Sequence, residues 1–178
     1  MSHPNPRETF NRLTTILEEV VDALDAYDQP VGSQTIEPSS PAGLDHCCPH
    51  DDSDTGGHAY IRVVRMHMVN PFPQQTLDPT QCRNIGALVE VGVLRCAQTM
   101  DEAGNPPPDA EITALADLVL ADMSIMYSVL SSHTPDYAIY PLVLDTYTPI
   151  EVEGGCAGGV WTFWADVAVC PPVPVTSP

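Results

Sequence analysis

The stretch HCCPHDDSDTGGH at 46–58 gathers His46, Cys47, Cys48, His50 and His58, a mixture of thiols and imidazoles that raises the question of zinc. Its spacing argues against a metal. Adjacent Cys47 and Cys48 do not form a C-x2-C knuckle, and no second C-x2-C or H-x3-H pair follows. A second candidate is Cys156, set among the glycines of EGGCAGGVWTFWADVAVC at 153–170. A cysteine nucleophile needs a base held by a third group, and nothing in the sequence pairs Cys156 with His67 or His133. The acidic pairs Glu18/Glu19 and Asp51/Asp52 read as solvated surface rather than acid–base machinery. GGCAGG lacks the GK[ST] ending of a phosphate-binding loop and precedes a strand-like run rather than a helix. These residues therefore lead to the expectation of no catalytic residue, no metal ligand and no cofactor.

The elements that must carry these residues follow from periodicity. Residues 7–27 place Phe10, Leu13, Leu17, Val20, Val21 and Leu24 on one helical stripe. Residues 28–58 are rich in Pro, Gly, Ser and Asp and read as a loop, long enough to need restraint, with neighbouring subunits the expected source. AYIRVVRMHMV (59–69) reads as a strand ended by NPFP. GALVEVGVLRCA (86–97) fits a strand or a short helix; the alternation of Val89, Val91 and Val93 with Gly86 and Gly92 favours the strand. A second helix, capped by Asp109, runs to about Ser132 on a stripe of Ile112, Leu115, Leu118, Val119, Ile125, Met126 and Val129, with Asp122 on or beside it and in want of a polar partner.

The glycines of GGCAGG join two strand-like runs as a hairpin. In the second run Trp161, Phe163, Ala165, Val167 and Val169 share one face, and Val160, Thr162, Trp164, Asp166 and Ala168 the other. Trp161 is thus expected in the core. Trp164 either packs within its own chain or serves as an interface residue, and the interface is the preferred reading. The expected fold is α+β: one domain over 1–178, with a mainly antiparallel sheet packed by two long helices, the 28–58 loop and an extended proline-rich tail at 171–178.

The chain holds 24 acidic residues against six arginines and no lysine, a net charge of -18. That balance excludes wrapping nucleic acid or docking on anionic lipid, but allows a passage through which DNA slides without sticking. The six arginines are expected in ion pairs within or between subunits; Arg62, Arg65 and Arg95, on strands, are the interface candidates beside Trp164. No unbroken apolar run of membrane-spanning length is seen, and MSHPNPRETFNRL lacks the pattern of a signal peptide. Cytoplasmic synthesis in turn makes Cys47, Cys48, Cys82, Cys96, Cys156 and Cys170 expected free thiols, with disulfides expected only if the finished object later leaves the cell.

Three stretches, HCCPHDDSDTGGHAYIRVVRM (46–66), GVLRCA (92–97) and EGGCAGGVWTFWADV (153–167), resemble a small virion protein of the head–tail junction of long-tailed phages of actinobacteria. The order helix, long loop, strand, strand, helix, hairpin is similar to that of tail terminators. Gln98, where proline would follow RCA, and Trp164 depart from that pattern. The resemblance implies a non-enzymatic structural protein, assembled in the host cytoplasm into a virion. It would form a homo-oligomeric ring, expected to be a hexamer, that caps the tail tube, joins a head connector or stopper and lets DNA through its lumen without specific binding and without membrane contact. A connector or stopper is the nearest alternative; a small metal- or thiol-dependent enzyme using the 46–58 loop is a more distant one.

Overall fold

A computed structural model describes residues 6–37, 47–48, 56–78, 84–100, 103–133 and 142–169. The chain is α+β, with elements in the order α1 (Pro6–Ala26), β1 (Ser33–Glu37), β2 (His58–Val69), β3 (Asn84–Cys96), α2 (Asp109–Ser132), β4 (Leu142–Glu153) and β5 (Cys156–Val169). The five strands form one mixed sheet in the order β1-β2-β3-β5-β4. β2–β3, β3–β5 and β5–β4 are antiparallel, whereas β1 runs parallel to β2. β1 lies inside the segment read as loop. Gln, Thr and Ile give it enough extended-chain preference to pair at an edge, where burial demands little of its side chains. Residues 38–46 and 49–55 of that loop and the 171–178 tail lie outside the described residues.

Strand alternation decides which face is covered. Rows Ile61–Val91–Trp161–Tyr147 and Val63–Val89–Phe163–Leu144 cross the sheet in register. Their side chains meet Leu13, Ile16, Leu17, Val20 and Leu24 of α1 and Ile125, Met126 and Leu130 of α2 in one core. Each fully buried aliphatic side chain there contributes about 1.5–3 kcal/mol. Ile16 belongs to the buried stripe of α1, while Phe10, a turn ahead of it, is 55% exposed. The largest fully buried side chain is Phe163, and Trp161 is only half-buried at the edge of the core. Trp161 nonetheless packs against this core on the expected face, and its indole finds a polar partner by donating to the Met123 carbonyl at 3.1 Å.

Two terminal details also differ from the sequence reading. The N-cap of α2 is Pro108 and makes no side-chain capping bond; Asp109 lies within the first turn with Glu111, where both favour the helix dipole. The β4–β5 hairpin turns on Gly154 and Gly155 alone, at φ 60 and 80, and Cys156 already pairs with Glu153. Gly158 lies within β5, where a Cβ would run into the Val93 carbonyl oxygen of β3.

Candidate functional site

Arg95 of β3 is 5% exposed and holds three elements together. Its Nε and one Nη donate to the two carboxylate oxygens of Asp122 at 2.8 and 2.7 Å. The guanidinium also donates to the Gln29 carbonyl at 2.8 Å and the Pro30 carbonyl at 2.6 Å, just past the end of α1. Asp122 thus has the polar partner its position called for. Burial pushes its carboxyl above the usual value, and the charge-assisted bonds from Arg95 pull it back. Arg95 is therefore not a subunit-interface residue. Its neighbours on the helix face of β3 are core valines, and a guanidinium buried there must be paired within the chain.

The sheet face away from the helices carries the other candidates. Arg62 pairs with Glu90 directly across β2–β3 at 2.5 Å, again within the chain. One row further, Arg65, Leu88, Trp164 and Val143 stand side by side in register. The Arg65 guanidinium lies 5.4 Å from the Trp164 ring centroid, and His67 packs edge-on at 4.5 Å. Trp161 and Trp164 do project to opposite faces; the β3–β5 irregularity falls beyond both, opposite Ile85 and Gly86, and the β4–β5 irregularity opposite Phe163 and Trp161 puts its extra residue in β4. Trp164 is half-buried, partly by these two neighbours, and Arg65 is exposed.

At the far end of the same face the cysteines converge. β3–β5 register sets Cys96 opposite Cys156. Cys47 joins Cys156 and Cys48 joins Cys96 as disulfides, with Cα separations of 5.8 and 4.5 Å. The expectation of free thiols fails for these four, because sheet register and a Gly57 N–H to Cys47 carbonyl bond bring distant chain segments to one point. The chain itself, rather than a neighbouring subunit, thus restrains the 28–58 segment at these two residues. Tyr60 and Leu94 pack against Cys47 and Cys156, and burial raises the Tyr60 phenol to about 12. Cys82 and Cys170 lie outside the described residues.

Cys156 is fully buried and bonded, so it is no accessible nucleophile. His133 instead pairs with Glu19 at 2.6 Å, tying the end of α2 to α1. His58 belongs to β2 rather than to the cysteine-rich loop. It is buried in β2 between the Ser33 hydroxyl on Nδ1 at 2.8 Å and the Thr35 hydroxyl on Nε2 at 3.1 Å. With both ring nitrogens engaged by β1 hydroxyls, it fastens the edge strand to the sheet. The alternation of Ser33 and Thr35 carries that signal, which was hidden once the segment was read as loop.

α2 presents apolar surface that the described residues leave uncovered. Its mean hydropathy reaches 1.5, yet only 17% of its most apolar stretch is buried. By length and composition it is apolar enough to cross a membrane, although Asp117 and Asp122 interrupt any unbroken apolar run. Ile125, Met126 and Leu130 of the expected stripe and its neighbourhood face the core, whereas Ile112 is 51% and Leu120 54% exposed. Beside the exposed half, a groove of about 490 Å³ is lined by Ile112, Leu115, Leu118, Pro107, Cys96 and Val152, among others. No family model matches the chain, and no curated protein matches it.

Proposed function

We propose that this protein is a structural subunit of a phage head–tail junction, most like a tail terminator: a single-domain building block of a homo-oligomeric ring, expected to be a hexamer, that caps the tail tube and meets the head connector or stopper. The three resembling stretches lead to this reading. The single structural observation that supports it is the uncovered N-terminal half of α2, whose apolar side chains and adjoining groove fit a second copy of this chain. Trp164 and Arg65, on the opposite face of the sheet, form a second contact surface, an exposed cation resting on a half-buried aromatic ring. A net charge of -18 suits a lumen that DNA traverses without adhering.

Sedimentation analysis of the purified chain tests the reading. A ring-sized oligomer is expected for the parent chain. Leu120→Glu is expected to give a monomer of unchanged circular dichroism, because Leu120 makes no core contact that its loss would empty. Trp164→Ala is expected to leave a folded chain that no longer joins tail tubes. A parent chain that stays monomeric at every concentration, alone and with tail tubes, would defeat the proposal.

A further inference from the structure

We propose that the four sulfurs of Cys47, Cys48, Cys96 and Cys156, when reduced, form a tetrathiolate site for one zinc ion. Consecutive side chains of an extended segment point apart. Cys47 and Cys48 do not: the chain bends at both residues, and their sulfurs lie 3.8 Å from one another without being bonded. Zinc–sulfur bonds of about 2.3 Å in a tetrahedron put the sulfurs about 3.8 Å apart. The vicinal pair therefore already has the separation of two ligands on one zinc.

The other two ligands come from opposed positions on neighbouring strands. Cys96 and Cys156 are register partners at the ends of β3 and β5, a rigid platform set by the longest ladder in the sheet. Each is within bonding reach of one member of the vicinal pair, so the four sulfurs make one group rather than two separate bridges. Opening each pair to ligand separation needs small side-chain rotations and no change of register. Burial of Cys47 and Cys156 and exposure of Cys96 give a site closed on one side and open to metal on the other.

In the disulfide form the sulfurs have no thiolate to offer, and among the described residues no group of His, Cys, Asp or Glu is set to hold a metal. Reduction changes this. As thiols, Cys47 and Cys48 would donate to the Gly155 carbonyl, 3.7 and 3.5 Å away. Zinc displaces the four thiol protons to solvent. An all-sulfur tetrahedral donor set selects zinc over harder cations. Exposure to dioxygen reverses the binding: four thiolates give up four electrons and form two S–S bonds, zinc leaves, and one dioxygen takes four solvent protons to become two waters.

The test uses the full chain, purified from the cytoplasm of expressing cells without oxygen or chelator. Elemental analysis is expected to find one zinc per chain. After chelation under a phosphine reductant, added cobalt(II) should give the visible spectrum of a tetrahedral tetrathiolate, and zinc should abolish it. Cys96→Ser should lower the bound zinc from one per chain to none. The parent chain decides the matter even if that variant fails to fold. A reduced parent chain that takes up no cobalt, a cobalt spectrum with fewer than four thiolates, or iron in place of zinc would each overturn the assignment.

Discussion

Arg95 and Asp122 show how far a single polar pair can govern this fold. Removing one partner leaves an uncompensated charge among core valines and aliphatic helix residues, so Asp122→Ala is expected to cost about 3–5 kcal/mol. Arg95→Met with Asp122→Leu should recover only part of that loss. The guanidinium also satisfies the carbonyls of Gln29 and Pro30, and the double variant leaves both unbonded. Urea unfolding of the two single variants and the double variant checks this; full recovery in the double would show that the two carbonyl contacts contribute nothing. At this scale the sequence was legible where chemistry is local. Asp122 announced its need for a partner by falling on an apolar stripe. Arg95 did not announce its answer, because its partner lies on another element and strand residues of either face look alike in isolation.

At the level of elements, helix period and strand alternation placed α1, β2, β3 and α2 to within one or two residues, whereas the final hairpin turns on Gly154 and Gly155 rather than on all of 154–159, so both its strands begin earlier than read. β1 escaped because a five-residue polar edge strand owes its existence to β2, not to its own sequence. The cysteine cluster escaped for a similar reason. Ligand-spacing rules describe knuckles closed within one turn of chain, whereas here strand register brings Cys96 and Cys156 together. The β3–β5 ladder itself depends on Gly158. A methyl group there meets backbone of Val93 and Leu94, which no side-chain rotation can clear. Gly158→Ala is therefore expected to destabilise the chain by about 1–3 kcal/mol. Hydrogen exchange should show the loss first at the Leu94–Cys96 end of β3; unchanged protection there would contradict the close approach.

For the molecule as a whole, charge and burial act together on acid stability. Burial raises the carboxyl of Asp166 above its ordinary value, opposed by its hydrogen bond from Asn84 and by Arg12. A carboxyl raised on folding binds its proton more tightly in the fold than in the unfolded chain. Its stabilising contribution is complete below the unfolded value and is lost as pH rises through the folded one. Mild acid also relieves the repulsion of a chain at -18. The urea midpoint is accordingly expected to rise as pH falls from neutrality toward the ordinary carboxyl value of 3.8. A midpoint that falls over this window would mean that ion pairs such as Arg62–Glu90 outweigh both effects. Composition made the acidity plain, but only the fold reveals which carboxylates it buries.

The two disulfides also change what a cut in the chain can do. The Cys47–Cys156 bond encloses every peptide bond between those residues in a covalent ring, and Cys48–Cys96 closes a smaller ring inside it. A single protease nick anywhere from 49 to 155 therefore opens a ring without releasing a fragment. Oxidised chain nicked once should migrate as one band on a denaturing gel without reductant, and as two bands with it. Zinc held by the same sulfurs would be lost in the denaturant, so the reduced, zinc-bound form should fall into two pieces under thiol-blocking conditions even without reductant. On the proposed role, a particle built in the reducing cell and released into oxidising surroundings would thus acquire, after assembly, subunits that tolerate being cut.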